Sequence, residues 1–209
     1  MKKGRGPRWF DKGGEGGRIP DMPTLRILGI SGSSRRGSFN TALLKEAGTM
    51  LPDGVALEVF DVSSFPLFSE DLESSPPPKV VEFKKKVKEA DAVLFATPEF
   101  NYSISAVLKN AIEWGNRPSE EDVWDGKPAA IVSASTAVRG GARAQLALRQ
   151  IMVDLNMHPI NAPQLYVGKA REAFDAEMRL TDEKHRKTLR ALVVALAEWA
   201  RRLKRTPQE

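Results

Sequence analysis

The stretch ILGISGSSRRGSFNTALLKEA, Ile27 to Ala47, decides the fold. Four residues of an apolar run, Ile27 to Ile30, give way to a loop of glycines, serines and two arginines. From about Ser38 to Met50 a helical pattern follows. An apolar run ending in a small-residue loop that opens a helix is the βα unit of a parallel sheet, with a loop suited to an anion. The loop has no G-x-G-x-x-G, so pyrophosphate lying against bare backbone is not indicated. It has no G-x-x-x-x-G-K-[ST] either, which argues against a nucleoside triphosphate. What fits is a terminal monophosphate held by hydroxyls, by Asn40 and by one guanidinium from Arg35 or Arg36. The same residues also suit an ordinary polar turn with Ser38 as helix N-cap.

Outward from this unit, strands and helices alternate. VALEVFDV (55–62) reads as a second strand, and SSFPLFSEDLESSPPP (63–78) as a long irregular connection. KVVEFKKKVKEA (79–90) puts Val80, Phe83 and Val87 on one helical face. DAVLFATP is a third, buried strand ended by Pro98. Ile104, Val107, Leu108, Ala111 and Ile112 then recur at offsets 0, 3, 4, 7 and 8, a helical stripe. PAAIVSAS (128–135) is a fourth strand, residues 142–155 a helix, and INAPQLYV (160–167) a weaker fifth strand that Pro163 assigns to an edge. A last helix spans Thr181 to Leu203, with Asp182 and Glu183 in its first turn and arginines at its end, as the helix dipole favours. The fold expected is α/β, a five-stranded parallel sheet in the flavodoxin-like order 2-1-3-4-5 with helices on both faces. In that order a ligand sits beyond the carboxyl ends of strands one and three.

Composition bounds the function. The 209 residues suit one domain, expected over 24–205, with a flexible basic extension at 1–23 and a short tail at 206–209. No apolar run is long enough for a membrane span, and the basic N-terminus lacks the apolar middle of a secretory signal, so a cytoplasmic protein is expected. Zero cysteines exclude disulfides and thiolate chemistry, and two distant histidines, His158 and His185, argue against a metal site. The net charge of +5 divides into +3 over residues 1–23, +5 over 179–209 and −3 between them. The basic excess is therefore terminal, with no nucleic-acid reading motif beside it, and no specific nucleic-acid partner is expected.

The loops after strands three and four carry further chemistry. TPEFNYS places a carboxylate, two aromatics, an amide and a hydroxyl behind a proline. An aromatic there can bound a flat ligand, and nearby main-chain N–H groups can bond ring carbonyls and nitrogens. Phe100 and Tyr102, taken singly, also suit local packing. SASTAVRGGARAQ adds small residues and the Gly140–Gly141 pair, which permits close approach of a ring and equally suits a plain turn.

These residues resemble the NADPH-dependent FMN reductases of flavodoxin-like fold, and within them the bacterial quinone, chromate and azo-dye reductases. The resemblance covers roughly residues 25–200 and rests on GSSRRGSFN, PEFNYSISAVLKNAIEWGNRP, DGKPAAIVSAS and RGGARAQLALRQI, in order and spacing. It implies that Ser33, Arg35, Ser38 and Asn40 hold the phosphate of FMN, with Phe39 beside them in the cofactor site. It implies that Pro98, Glu99, Phe100 and Asn101 line the isoalloxazine edge largely through main-chain groups. Ala134 and Ser135 would close over the ring.

The activity implied is NAD(P)H-dependent passage of two electrons through bound FMN to quinone-like, azo or chromate acceptors, with NADPH or NADH as donor and no side chain obliged to act as nucleophile, acid or base. Arg117 and Arg139 could attract NADPH phosphates or an anionic acceptor, or be plain surface arginines. A reductase feeding reduced flavin to a monooxygenase and a flavodoxin-like electron carrier are the alternatives. A homodimer or homotetramer is implied, with the helix bearing Trp114 near its interface, although Trp114 could equally be core. Three residues depart from the family pattern: Phe100 for a tyrosine, Ser105 for a proline, which is expected to loosen the next helix start, and Ala137 for a glycine, which is expected to alter the fourth loop's turn.

Overall fold

A computed structural model of the chain describes residues 25–204; the expectations for 1–23 and 206–209 lie outside the described residues. Six parallel strands form one sheet: β1 (Leu25–Ser31), β2 (Val55–Phe60), β3 (Ala92–Ala96), β4 (Pro128–Ala134), β5 (His158–Pro159) and β6 (Leu165–Val167). The order is β2-β1-β3-β4-β5, with β6 also paired to β4. The fold is thus flavodoxin-like, with one correction: the expected fifth strand is two short ones. β5 pairs with the start of β4 and β6 with its end. Residues 160–164 leave the ladder between them, where Pro163 has no N–H to give it. Arg149 Nη2 donates to the Ile160 carbonyl (2.9 Å), satisfying one group that the sheet does not reach.

Alternation along the strands sends side chains to two cores. Ile27, Leu94 and Val132 face α1 (Phe39–Gly48) and the long α6 (Glu183–Lys204), which follows the short α5 (Ala170–Ala173). Leu28, Phe95 and Ile131 face α2 (Pro78–Glu89), α3 (Ala106–Asn116) and α4 (Ala142–Asp154). The second core is the aromatic one. Trp124 is fully buried, donates from Nε1 to the Ile112 carbonyl (3.0 Å), and packs against Gly115 so closely that a Cβ there would lie 2.4 Å from Nε1.

Trp114 belongs to this core as well. It is 1% exposed, donates to the Pro66 carbonyl (2.9 Å) and meets Phe68 edge-on, so of the two expected roles it takes that of a core residue. The long 61–77 connection is held on α3 by the same carbonyl, which also accepts from Asn110 Nδ2 (2.9 Å). Among the described residues no helix is long and apolar enough to cross a membrane.

Candidate active site

Because all strands run parallel, the loops leaving β1 (32–38), β3 (97–105) and β4 (135–141) emerge on one edge. Three polar side chains tie these loops, or the strand and helix ends that flank them, to one another.

Asn40, in the first turn of α1, is 4% exposed. Its carboxamide donates from Nδ2 to the Ala134 carbonyl (3.0 Å) and accepts the Ala134 N–H at Oδ1 (2.9 Å). Both halves of the amide are therefore spent on the end of β4. Asn40 offers a ligand its main-chain N–H, with the side chain serving as a clamp.

Ser105 is the N-cap of α3: its Oγ accepts from Leu108 N–H (3.1 Å) and donates to the Gly32 carbonyl (2.5 Å). The helix start is capped and tied to the first loop, so the loosening expected from the loss of a proline does not occur.

Glu99 closes the third side. Its carboxylate accepts the Arg143 main-chain N–H in the first turn of α4 (3.1 Å) and pairs with the Arg143 guanidinium through Nε (2.5 Å) and Nη2. A carboxylate at a helix N-terminus is favoured by the dipole. The pair raises the Arg143 pKa above its ordinary value, chiefly through the Glu99 hydrogen bond. The guanidinium also lies 3.6 Å over the Tyr102 ring, which stacks the third loop on the fourth helix.

Within this frame the remaining expected residues separate by role. Ser38 caps α1, its Oγ accepting from Thr41 N–H (3.2 Å) with its own proton left to donate. Phe39 packs its ring on Phe174 (5.1 Å), which serves the core. Ser33 accepts weakly from Arg35 N–H (3.4 Å). Arg35 and Arg36 are exposed, and neither guanidinium has a partner among the described residues. The N–H groups of Gly37, Phe39 and Asn40 likewise find no acceptor among the described residues. Amides left open at the start of a ten-residue helix, close in sequence to two arginines, are a donor set of the kind that suits an anion.

Phe100 and Ser103 exchange main-chain hydrogen bonds (3.0 and 2.9 Å) across a turn whose central residues, Asn101 and Tyr102, have φ of 47° and 70°. This tight turn leaves the N–H groups of Glu99, Asn101 and Tyr102 without acceptors among the described residues, and leaves the Phe100 ring 58% exposed. Pro98 packs against Gly32, where an added Cβ would come within 3.2 Å of its ring.

Ala134, the last residue of β4, is buried, and Ser135 beyond it donates its N–H to the Val167 carbonyl at the end of β6 (2.9 Å) and accepts the Ala170 N–H at its own carbonyl (3.0 Å). The accessible part of the fourth loop is Thr136 to Arg139, with Gly140 and Gly141 in left-handed conformation behind it. Ala137 has no positive φ, so the alanine fits its turn without strain. Arg117 does not join this group. It follows the last residue of α3, about 16 Å along the helix from the third loop at ~1.5 Å per residue.

Residues 25–172 match the family described as NADPH-dependent FMN reductase. The chain belongs to that family. It is an oxidoreductase, 48% identical over 181 residues to an NAD(P)H-dependent FMN reductase of Pseudomonas aeruginosa, covering 86% of this chain and 97% of that one. An NAD(P)H:quinone oxidoreductase of Solanum tuberosum is 43% identical over 190 residues, covering 88% and 96%. Among solved structures, the flavoenzyme NAD(P)H:(acceptor) oxidoreductase FerB of Paracoccus denitrificans superposes with a TM-score of 0.79 at 31% identity, covering 85% of this chain and 98% of that one. Glu99 was expected at this edge, but its pairing with Arg143 and the stacking of Arg143 on Tyr102 escaped sequence reasoning. Glu99 and Arg143 lie 44 residues apart, and no local pattern links them.

Proposed function

We propose that this chain binds FMN at the edge where the three loops meet and uses NADPH or NADH to reduce quinone-like acceptors by two electrons. The observation that carries this is the set of clamps made by Asn40, Ser105 and Glu99, which fixes main-chain donors of two loops that, like the guanidinia of Arg35 and Arg36, have no partner among the described residues. The donor set fits the cofactor. Arg35, the Ser33 and Ser38 hydroxyls and the N–H groups opening α1 would hold the phosphate, and the N–H groups of Glu99 and Asn101 would hold the ring edge. Bound there, the isoalloxazine supplies the hydride chemistry that joins nicotinamide oxidation to acceptor reduction. The protein orients it and shields it. Phe100, Tyr102 and Val138 form an exposed, largely apolar rim suited to a flat nicotinamide or quinone. Arg139, exposed in the fourth loop, is the arginine available to an anionic substrate group.

The 48% and 43% identical relatives named as FMN and quinone reductases support this activity. Azo dyes and chromate are further acceptors to compare in the same assay. A homodimer or homotetramer belongs to this proposal: Leu146 and Val153, 64% and 81% exposed and seven residues apart on α4, are large apolar side chains that a subunit contact would cover. A cytoplasmic location is part of the same reading.

The test is a titration of apo-protein with FMN, followed by flavin fluorescence quenching, and then steady-state NADPH and NADH oxidation with benzoquinone. Saturable binding and catalytic turnover are expected. A protein that leaves FMN fluorescence unchanged, or that oxidises no nicotinamide with FMN and quinone present, would overturn the proposal.

A further inference from the structure

The first loop is held by few hydrogen bonds for a segment expected to grip an anion. Between Gly32 and Gly37, two hydrogen bonds are local and long, Ser33 N to Ser31 Oγ (3.3 Å) and Arg35 N to Ser33 Oγ (3.4 Å). The ties to other elements, among the described residues, both fall on Gly32. Its N–H donates to the Ala96 carbonyl at the end of β3 (2.8 Å), and its carbonyl accepts from Ser105 Oγ (2.5 Å). Ser105 is 6% exposed, so water does not readily replace its proton. Packing admits no bulk at this junction: a Cβ on Gly32 would come within 3.0 Å of Leu108 Cβ, 3.1 Å of Ser105 Oγ and 3.2 Å of Pro98 Cδ. The peptide that launches the loop is therefore pinned from two directions, and one pin is a single side chain.

We propose that Ser105 is a positioning residue for the flavin phosphate: its hydroxyl holds the 32–38 loop in the arrangement that accepts the phosphate, while recognition of the ring does not depend on it. The inference rests on the FMN reading above and extends it to a residue outside the loop. A buried carbonyl deprived of its donor is unfavourable. Without the hydroxyl, the Gly32 peptide is free to turn toward water, and the loop spreads over other arrangements. Apparent affinity falls in proportion to the fraction that stays competent. The ring-facing turn at 99–103 is held separately, by Glu99 on Arg143, and is left intact.

Ser105 also caps α3, so the test must separate the cap from the tie. Glycine keeps most of an N-cap's stability while lacking the hydroxyl. Dissociation constants for FMN and for riboflavin, which has the same ring and no phosphate, would be measured on apo-protein by flavin fluorescence quenching. The proteins are the unaltered chain, Ser105→Gly, Ser105→Ala and Ser105→Thr, with melting temperatures alongside.

The unaltered chain is expected to prefer FMN strongly. Ser105→Gly and Ser105→Ala should weaken FMN about tenfold, as when the competent fraction drops to roughly a tenth, and shift riboflavin by less than about twofold. Ser105→Thr, which keeps the hydroxyl, should restore the preference. Equal weakening of both flavins, or unchanged FMN affinity in Ser105→Gly, overturns the proposal. An unaltered chain that binds FMN and riboflavin alike overturns the phosphate reading beneath it, and that result is seen before any variant is compared.

Discussion

Replacing Asn40 by alanine removes the join between the first and fourth loops, and the structure sets the size of the effect. The carboxamide satisfies two main-chain groups of one residue, the N–H and the carbonyl of Ala134, at 2.9 and 3.0 Å. Both residues are 4% exposed, so the two groups are left in a cavity with little access to solvent. An unsatisfied buried donor or acceptor costs about 1–3 kcal/mol. A water entering the space vacated by the side chain would recover part of one of them. The net loss expected is therefore about 3 kcal/mol. For a domain of this size each kcal/mol lowers Tm by about 2–4 °C, which gives a fall of about 6–12 °C. Differential scanning calorimetry of apo-protein measures it, with Ser33→Ala as a loop substitution expected to change stability by less than about 0.5 kcal/mol. Because the clamp joins the phosphate loop to the ring-side loop, Asn40→Ala should weaken FMN and riboflavin together, unlike the Ser105 variants. A melting temperature within about 2 °C of the unaltered protein, less than the effect of a single kcal/mol, would refute the assignment of Asn40 as a buried clamp.

Two further changes test the frame. Glu99→Gln keeps the shape but removes the charge that faces the first turn of α4 and Arg143, and it should cost about 2 kcal/mol in urea unfolding; an unchanged urea midpoint would count against the ion pair. Asp182 accepts the His185 N–H (2.8 Å) at the start of α6, and that hydrogen bond is the main cause of its lowered pKa. Since the folded-state pKa lies below the unfolded one, its contribution is complete above the ordinary carboxylate range and disappears as pH falls through the folded value. Asp182→Ala should therefore be less stable by about 1 kcal/mol at neutral pH, with the difference closing below about pH 4. A gap that persists in acid would show that the cap acts without its charge.

The parts of the fold legible in the sequence are those whose signal is local. The runs around Ile27–Ile30, Val93–Phe95 and Ala129–Val132 are buried on both faces, and unbroken apolar runs are what such strands require. The split of the last strand was only half legible. Pro163 marked the interruption, but which residues rejoin β4 depends on pairing, seen in Val132 against Leu165. Trp114 shows why a helical apolar position does not reveal its partner. Its role is decided by the Pro66 carbonyl, 48 residues away in an irregular segment. Ser105 was legible in principle, because a serine followed by a helical stripe is an N-cap signature. What the sequence does not display is the second bond, to a carbonyl 73 residues back.

The long-range character of these bonds has a physical cause. Loops at the end of a parallel sheet carry main-chain donors and acceptors that no ladder satisfies, and they bury too little apolar surface to be fixed by packing. A small polar side chain from a neighbouring element does both jobs, satisfying a main-chain group and fixing a distance. Asn40 joins the first turn of α1 to the end of β4, Ser105 joins the third loop to the first, and Glu99 joins the third to the start of α4. Three such bonds close a triangle, and a triangle is rigid where a chain of two is not. A frame fixed before any ligand arrives spends less of the binding energy on ordering. Opening different sides must then have different consequences. Loss of the Asn40 side should loosen both ends of a flavin, and loss of the Ser105 side only the phosphate end. If all such variants weakened every flavin equally, the loops would be acting as one undivided surface, and the triangle would not be the unit that holds the ligand.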